Sequence, residues 1–331
     1  GKQHGVNIYV VTPRELQLNQ RQVLAFAYHK NTNAWIPEWI PRPTVIYNRV
    51  PYRKDENDPY VQQIIKQCMT HPQIRFFNPA FFNKWQLFKW LGKSQKTKSY
   101  IPHTVRWRKQ TRLLPMLAKS PLLYFKPESG KAGAGIMQVR RLNGHVKPYR
   151  LSIQSHKSAA ELKFKTIKAL KHKLHSIIGE EHYIVQQGIR LLRYRKRPFD
   201  LRLLVQKNYR GAWSITGIGA RLAGLKSITT HVPRGGSIES PEKLLDEIFS
   251  ERERNRILRK VKLAAIKIAK QIEHGHQTTL GEMSMDFGVD IHGDIWFFEA
   301  NAKPMKFDEP HIRKKSLENT VKYCKYLCRK A

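Results

Sequence analysis

Cysteine is scarce in this sequence, and its three residues are too few for a disulfide scaffold. Cys324 and Cys328 lie one helical turn apart near the end of the chain, but no further Cys or His stands at zinc-finger spacing. We therefore interpret both as ordinary helix residues. Such sparse cysteine is typical of the reducing cytoplasm.

Long apolar segments are also missing. No uninterrupted run approaches the ~20 residues that a membrane-spanning helix needs, so no membrane span is predicted. No signal peptide is visible, although cleavage before Gly1 would have removed one. The chain begins without Met, as at a processed end, and residues 1–4 carry no fold prediction.

Acidic residues are few: 25 Asp and Glu stand against 61 Lys and Arg, giving a net charge of +36. A positive field attracts nucleic acids, anionic membranes, acidic proteins and nucleotides without selecting among them. The basic residues are spread along the chain, and a solvated basic surface accounts for most of them. Because no nucleic-acid-binding motif is evident and Trp85, Trp90 and Trp107 are best explained by core packing, nucleic acid is the least favoured partner.

The first part of the chain alternates between strand and helix patterns, which favours a small parallel-sheet α/β domain over residues 1–80. The predicted elements are strands at 5–11, 44–47 and 74–77, a strand or hairpin at 19–29, a loop around Pro37, Pro41 and Pro43, and a helix at 59–70.

The rest of the chain indicates mixed α+β structure. The predicted strands are 122–126, 136–140, 183–187, 200–207, 212–220, 282–290 and 294–300. The predicted helices are 80–92, 110–118, a basic helix at 158–177, 241–273 with a break near 250, and 313–328.

A glycine-rich segment covers residues 124–136, where a strand delivers Lys126 into a loop and a second strand returns. Glycines let backbone N–H groups approach phosphate oxygens, and a neighbouring lysine neutralises them. The spacing matches neither a Walker A loop nor a dinucleotide-binding fingerprint. Taken alone, a plain flexible hairpin explains the segment equally well.

A second group of polar residues falls on two apolar strands around a His-Gly-Asp turn, which predicts an antiparallel hairpin. Pairing about the turn places Asp286 near Glu299, and Asn301 shares a face with Glu299. Two carboxylates and an amide oxygen suit Mg²⁺, which takes few protein ligands and completes its shell with phosphates and water. A solvent-facing polar edge is the weaker alternative, because an unpaired carboxylate inside an apolar strand is costly.

A third group contains Asp200 and Arg202 on one strand face, Arg221 at the end of the following strand, and a loop over residues 229–236. Arginines beside a metal–phosphate site would stabilise a transferring phosphoryl group. The alternative is a surface ion pair between Asp200 and Arg202.

The order of these elements resembles the ATP-grasp superfamily over about residues 80–305, and Asp286 followed by Glu299 and Asn301 is its most specific signature. Residues 41–49 and 78–79 are similar to the YheC/YheD family of spore-coat-associated proteins. The resemblance implies two α+β lobes clamping ATP behind a small parallel-sheet domain, with domains at 1–80, 81–187 and 188–331.

The resemblance also implies roles for individual residues. The implied ATP contacts are Lys84, Lys126, the lid residues Glu128, Ser129, Gly130, Gly133 and Gly135 within residues 128–135, the hinge residues Gln186, Gln187 and Ile189, and Asp200. The implied holders of phosphate or acyl phosphate are Arg202 and Arg221, and the implied ligands of Mg²⁺ or Mn²⁺ are Asp286, Glu299 and Asn301.

The implied activity is an ATP-dependent carboxylate–amine ligase that forms an acyl phosphate, and the charge favours an acidic peptide or protein as acceptor. A spore-coat structural or binding protein with little turnover is the alternative. His231, Gln187 and Lys303 stand where relatives carry other residues, and His231 and Lys303 fall on the acceptor side. The carboxylate and amine substrates therefore stay open.

Overall fold

The computed structural model describes residues 1–130, 133–154, 159–224, 230 and 235–330. Within these ranges, no helix combines the length and the apolar character that crossing a bilayer demands.

The N-terminal part carries two small sheets and two helices. Its elements are β1 (Gln22–His29), β2 (Ala34–Pro41), β3 (Val45–Tyr47), α1 (Arg53–Glu56), α2 (Pro59–Thr70) and β4 (Arg75–Phe77), after a 3₁₀ turn at Lys2–His4. Strands β3 and β4 are parallel, as predicted, whereas β1 and β2 form an antiparallel hairpin. The helix prediction at 59–70 is confirmed, with Asp58 capping its first turn.

Two predictions for this part are wrong. Residues 5–11 form no strand, and only an isolated bridge joins Val10 to Phe26. Pro37 and Pro41 lie inside β2, where a loop was predicted. A proline lacks the backbone N–H that a central strand needs, but β2 has a partner on one side only, so its other edge tolerates the loss.

A six-stranded antiparallel sheet follows, in the order β5-β10-β6-β7-β8-β9. The elements of this part are α3 (Lys84–Gly92), a 3₁₀ turn at Lys98–Tyr100, β5 (Thr104–Arg106), α4 (Leu113–Lys119), β6 (Leu122–Pro127), β7 (Met137–Arg141), β8 (Tyr149–Gln154), β9 (Ala159–Phe164), α5 (Ile167–Ile178) and β10 (Tyr183–Gln187). Helices α4 and α5 cover one face, where Leu123 and Phe125 are fully buried. Because side chains alternate along a strand, Tyr124 and Lys126 point to the opposite face.

The basic helix predicted at 158–177 is wrong in its first half. Residues 159–164 form β9, which pairs with β8, and α5 begins only at Ile167. Thr166, two residues after the end of β9, caps the helix, because its side chain accepts a hydrogen bond from the Ala169 backbone N–H at 3.2 Å.

A second antiparallel sheet has the order β14-β13-β12-β15-β16. The elements of this part are β11 (Arg193–Tyr194), β12 (Arg197–Lys207), β13 (Trp213–Leu222), β14 (Ser237–Glu239), α6 (Pro241–Asp246), α7 (Glu251–His276), β15 (Glu282–Val289), β16 (Ile295–Asn301) and α8 (Pro310–Cys328). The predicted break near 250 is confirmed, because Ser250 forms a capping box with Glu253 at the start of α7.

Helix α7 packs against one face of this sheet through a large apolar cluster that includes Leu203 and Phe287. Trp85 and Trp90 pack against the same cluster and Trp107 lies in the core of the other sheet, as predicted. Helix α8 covers part of the opposite face, where Ile312 contacts Leu204. The remainder of that face carries polar residues.

The side chain of Asn78 joins the N-terminal part to the second sheet. Asn78 is fully buried and adopts a left-handed backbone with φ of 56°. Its amide donates to the carbonyls of Glu282, at 2.8 Å, and Ala302, and its oxygen accepts from the Gly281 N–H at 2.7 Å. These bonds fix the start of β15 against the end of β16, the two strands that carry the acidic site residues.

Candidate functional site

A cleft of about 990 Å³ lies between the polar faces of the two large sheets. Most of the predicted site residues with long side chains line it together, although they come from four separate parts of the chain. They are Lys126, Gln186, Gln187, Ile189, Asp200, Arg221, Asp286 and Glu299.

On the side of the first sheet, Lys126 points into the cleft and donates to the side-chain oxygen of Gln186 at 2.6 Å. The ammonium group also lies 5.5 Å from the ring centre of Phe298. Burial lowers the pKa of Lys126 to about 8, although the nearby carboxylates of Glu299, Asp286 and Asp200 favour the charged form. A lysine with this pKa is charged at neutral pH and becomes neutral in mildly alkaline solution.

Since the resemblance implies that Lys126 contacts the phosphates of ATP, we expect ATP affinity to fall as the pH rises from 7 through 8 to 9, because the ammonium that would neutralise the phosphates loses its charge. Lys126→Arg should keep its charge over this range and flatten the profile, since a guanidinium stays protonated. Titration calorimetry at several pH values measures the effect. A profile that is equally steep in Lys126→Arg would assign the titration to another group.

On the side of the second sheet, Arg221 joins two acidic residues. It donates to both carboxylate oxygens of Asp200, at 2.9 and 3.0 Å, and lies 2.7 Å from Asp286. Burial opposes the charge on Arg221, but Asp286 and Asp200 outweigh it and raise its pKa. The alternative ion pair between Asp200 and Arg202 is wrong, because Arg202 lies 3.7 Å from Asp286 instead.

The predicted hairpin places Asp286 directly opposite Glu299, and Ser284 opposite Asn301. Asp286, Glu299 and Asn301 therefore share one sheet face, as predicted. Lys84, on α3, reaches this face: its ammonium lies 3.0 Å from Glu299 and donates to the Gly130 carbonyl at 3.1 Å. The acidic residues are thus balanced by cations from both halves of the cleft.

The donor set fits a hard divalent cation. Two carboxylates and one amide oxygen on paired strands suit Mg²⁺ or Mn²⁺, provided that phosphates and water complete the shell. Within the described residues, no group of three or more His, Cys, Asp or Glu is arranged to hold a metal by itself. Three protein oxygens are fewer than such a cation coordinates, so the set would need other ligands to complete the shell.

The glycine-rich loop lies at the edge of the site. Glu128, Ser129, Gly130 and Gly135 line a second cavity of about 530 Å³ instead of the main cleft. Gly133 and Gly135 have φ values of 71° and 70°, which few other residues adopt. Lys131 and Ala132 of the predicted lid lie outside the described residues, as do His231 and Arg234 of the 229–236 loop.

Glu128 makes contacts that hold the loop to the sheet. Its carboxylate accepts from Arg106 at 2.5 and 3.0 Å and from the amide of Asn83 at 3.2 Å. Only 3% of Glu128 is exposed. These bonds fix the end of β6, the strand that carries Lys126. They also hold the Glu128 carboxylate away from the main cleft, which it does not line.

Several residues that line the cleft were not predicted from the sequence, and Phe298 is the clearest example. The register of β15 and β16 shifts between Asp286 and Phe287, so Phe298 has no partner and lines the cleft next to Glu299. Such a bulge reverses the alternation that would place neighbouring residues on opposite faces. Nothing in the local sequence marks it.

Thr230 belongs to the loop over residues 229–236, but no individual role was predicted for it. Its hydroxyl donates to Asp200, and it lines the cleft. Lys303, at the predicted acceptor side, forms a buried ion pair with Glu56 and lies 4.5 Å from the ring centre of Phe81. Its ammonium therefore connects the segment after β16 to α1.

Comparisons with known proteins agree with this architecture. A family model described as YheC/D like ATP-grasp matches residues 73–327. Endospore coat-associated protein YheD of Bacillus subtilis (strain 168) is 28% identical over 337 residues, covering 100% of this chain and 72% of that protein. Endospore coat-associated protein YheC of the same strain is 22% identical, covering 98% and 88%.

Among solved structures, the D-alanine–D-alanine ligase from Coxiella burnetii is similar, with a TM-score of 0.53 at 12% identity. The match covers 93% of this chain and 74% of that ligase. At this identity the likeness establishes the fold, which is the one predicted: two α+β units around a cleft.

Proposed function

The chain belongs to the YheC/D-like ATP-grasp family, and we propose that it is an ATP-dependent carboxylate–amine ligase that works through an acyl phosphate. The observation that carries the proposal is the pairing of Asp286 with Glu299 across the cleft from Lys126. Residues 1–80, 81–187 and 188–331 are proposed as its three domains.

In this proposal, ATP binds between the two large sheets. The hinge at Gln186, Gln187 and Ile189 would accommodate the adenine, and Phe298 supplies an apolar surface beside it. Lys126 and Lys84 would receive the phosphates. Lys84 forms an ion pair with Glu299, and in the nucleotide complex its ammonium would contact both Glu299 and a phosphate.

Asp286, Glu299 and Asn301 would hold Mg²⁺ or Mn²⁺, which neutralises phosphate charge when it is bound. A carboxylate oxygen of the first substrate attacks the γ-phosphorus, and ADP leaves. The amine then attacks the acyl carbon and loses a proton. The bond between the acyl carbon and the phosphate oxygen breaks, and inorganic phosphate leaves. Arg202 and Arg221, which both contact Asp286, would hold the phosphoryl group during both steps.

This chemistry depends on positioning and charge neutralisation, so it needs no nucleophilic side chain. Three carboxylates and four cations meet on the cleft faces, so their charges nearly balance in the absence of substrate. They are Asp200, Asp286 and Glu299, and Lys84, Lys126, Arg202 and Arg221. The glycine-rich loop would close over the phosphates and exclude water from the acyl phosphate.

We expect ATP with Mg²⁺ to raise the melting temperature by several degrees, because a ligand that binds only the folded state stabilises it. ATP with EDTA should raise it less, since the phosphates would then face Asp286 and Glu299 without a neutralising ion. ADP release on adding candidate carboxylates and amines then tests turnover. No shift with ATP under either condition would contradict the proposal.

A structural or binding role in a spore coat is the second candidate, because both curated relatives are named endospore coat-associated proteins. In that case ATP would shift the melting temperature without supporting turnover, or would not bind. The intact set of Lys126, Asp286, Glu299 and Asn301 favours the enzyme. An enzyme that modifies a coat protein would work in the cytoplasm or at the forming coat.

A further inference from the structure

Cationic side chains surround the mouth of the cleft, beyond the residues assigned to ATP. Lys and Arg make up about a third of the described residues that line the cleft, against under a fifth of the chain. Apart from Lys126, those with exposed or half-buried side chains are Lys119, Arg140, Arg141, Arg190, Arg193, Arg195, Lys196 and Arg197, called the mouth cations below. They come from both large sheets or the segments beside them.

Little negative charge balances the mouth cations. Within the described part of the chain, the ion pair that they form is Arg195 with Glu247, at 3.7 Å between largely exposed side chains. Such an exposed pair contributes little. Arg193 and Arg197 donate to backbone carbonyls, which leaves their charges in place.

The positive field also extends into the cleft. Burial raises the pKa of the Tyr124 hydroxyl, while Gln138, which donates a hydrogen bond to it, and the charges of Arg140 and Arg193 oppose that rise. Because Tyr124 lies on the cleft face of the first sheet, an anion at the mouth would experience the same field.

The turn between β11 and β12 carries two of the mouth cations in an unfavourable backbone conformation. Arg195 and Lys196 are the two residues of this hairpin loop, with φ values of 47° and 66°. Loops with positive φ at both positions strongly favour Asn-Gly, because side chains with a Cβ are strained there. Two long cations at these positions therefore indicate a role for their charge.

Resting on the proposed function, we propose that the mouth cations form a docking site for an acidic segment, rich in Glu and Asp, of the polypeptide that the ligase modifies. A row of carboxylates would lie across the mouth and contact cations of both sheets. The reacting group would then be presented from outside to the phosphates at Lys126 and Glu299.

The structure favours an acidic peptide over single-stranded nucleic acid. Binding of single strands relies on exposed aromatic rings on which bases stack. The aromatic residues among the described cleft lining are Tyr124 and Phe298, and both lie close to Lys126, well inside the cleft. Tyr194, in the hairpin itself, is only 7% exposed.

The test replaces the turn by its favoured dipeptide, in the double variant Arg195→Asn with Lys196→Gly. Two charges are lost while backbone strain is relieved, so the melting temperature should stay the same or rise. Binding of a fluorescently labelled poly-glutamate peptide, followed by anisotropy at physiological ionic strength, should weaken by about tenfold.

The matched control is Lys30→Asn with Arg210→Asn, which removes two exposed cations from loops that do not line the cleft. It should leave peptide affinity within about twofold of the unaltered protein, since screening limits distant charges. Equal weakening in both variants, or no weakening in the turn variant, would overturn the proposal. So would tighter binding of a single-stranded oligonucleotide than of the peptide. These measurements need no ATP, so they fail or succeed independently of the melting experiment with nucleotide.

Discussion

Replacing Glu299 by Gln is expected to lower Mg²⁺-dependent ATP turnover by about 100-fold or more. The amide keeps the shape of the side chain but removes one of the two carboxylate charges that face each other on β15 and β16. ADP release measures the loss, and the concentration of Mg²⁺ needed for half-maximal rate should rise. An unchanged rate and an unchanged Mg²⁺ requirement would mean that Glu299 is not a metal ligand.

The control for this variant is Glu318→Gln, which removes a carboxylate from the surface of α8. Glu318 lies 3.8 Å from Lys322, and both side chains are more than a third exposed, so little should change. Thermal melts of both variants separate a chemical effect from a structural one. Glu299 also balances Lys84, whose side chain is only 9% exposed, so a modest loss of stability should accompany the loss of turnover.

The acidic site could be predicted from sequence because its geometry is local. Asp286 and Glu299 flank one short turn, so the hairpin brings them near each other without knowledge of the rest of the fold, although the bulge at Phe298 is what sets them directly opposite. The helix at 59–70 was equally accessible, because Asp58, Pro59 and the apolar spacing mark its start. In both cases the determining contacts lie within a few residues along the chain.

The ion pairs of Arg221 could not be predicted in the same way. Asp200 faces Arg221 because β12 and β13 take one particular register, and Asp286 joins them because β15 pairs with the other edge of β12. These registers are set by burial of the apolar face against α7. Sequence patterns indicate which residues are polar but not which distant strand lies opposite.

The error at 158–177 has a different origin, because the signals were present in the sequence. Leu162 and Phe164 alternate with Glu161 and Lys163, which is the strand period, and Thr166 marks a helix start. The predicted basic helix, which is real from Ile167 onward, wrongly included these alternating residues. The mouth cations, in contrast, could not be predicted from local sequence signals. Lys119, Arg140 and Arg195 are distant in the sequence and line one cleft only because the two sheets assemble.

Replacing Arg221 by Met is expected to lower the free energy of unfolding by about 3–5 kcal/mol, because it leaves Asp200 and Asp286 as buried charges without their main partner. Both carboxylates are less than 5% exposed as residues. Urea denaturation followed by circular dichroism measures the change. The matched control is Arg202→Met on the same sheet face. The Arg202 side chain is 22% exposed and its guanidinium lies 3.7 Å from Asp286, a longer contact than that of Arg221, so its loss should cost about 1 kcal/mol.

A second substitution tests whether the uncompensated charge is the cause. Asp200→Asn in the Arg221→Met background removes one of the two carboxylates that Arg221 had neutralised while keeping its shape, so part of the lost stability should return. In the unaltered protein the same Asp200→Asn change should destabilise, because it breaks the paired hydrogen bonds to Arg221. If the loss of unfolding free energy depends on the charge left behind and not on side-chain volume, its origin is electrostatic. Arg221 is then the residue that allows two carboxylates to be buried on the cleft face. Equal costs for Arg221→Met and Arg202→Met would instead place the stabilisation in packing, and the electrostatic account of this face would be wrong.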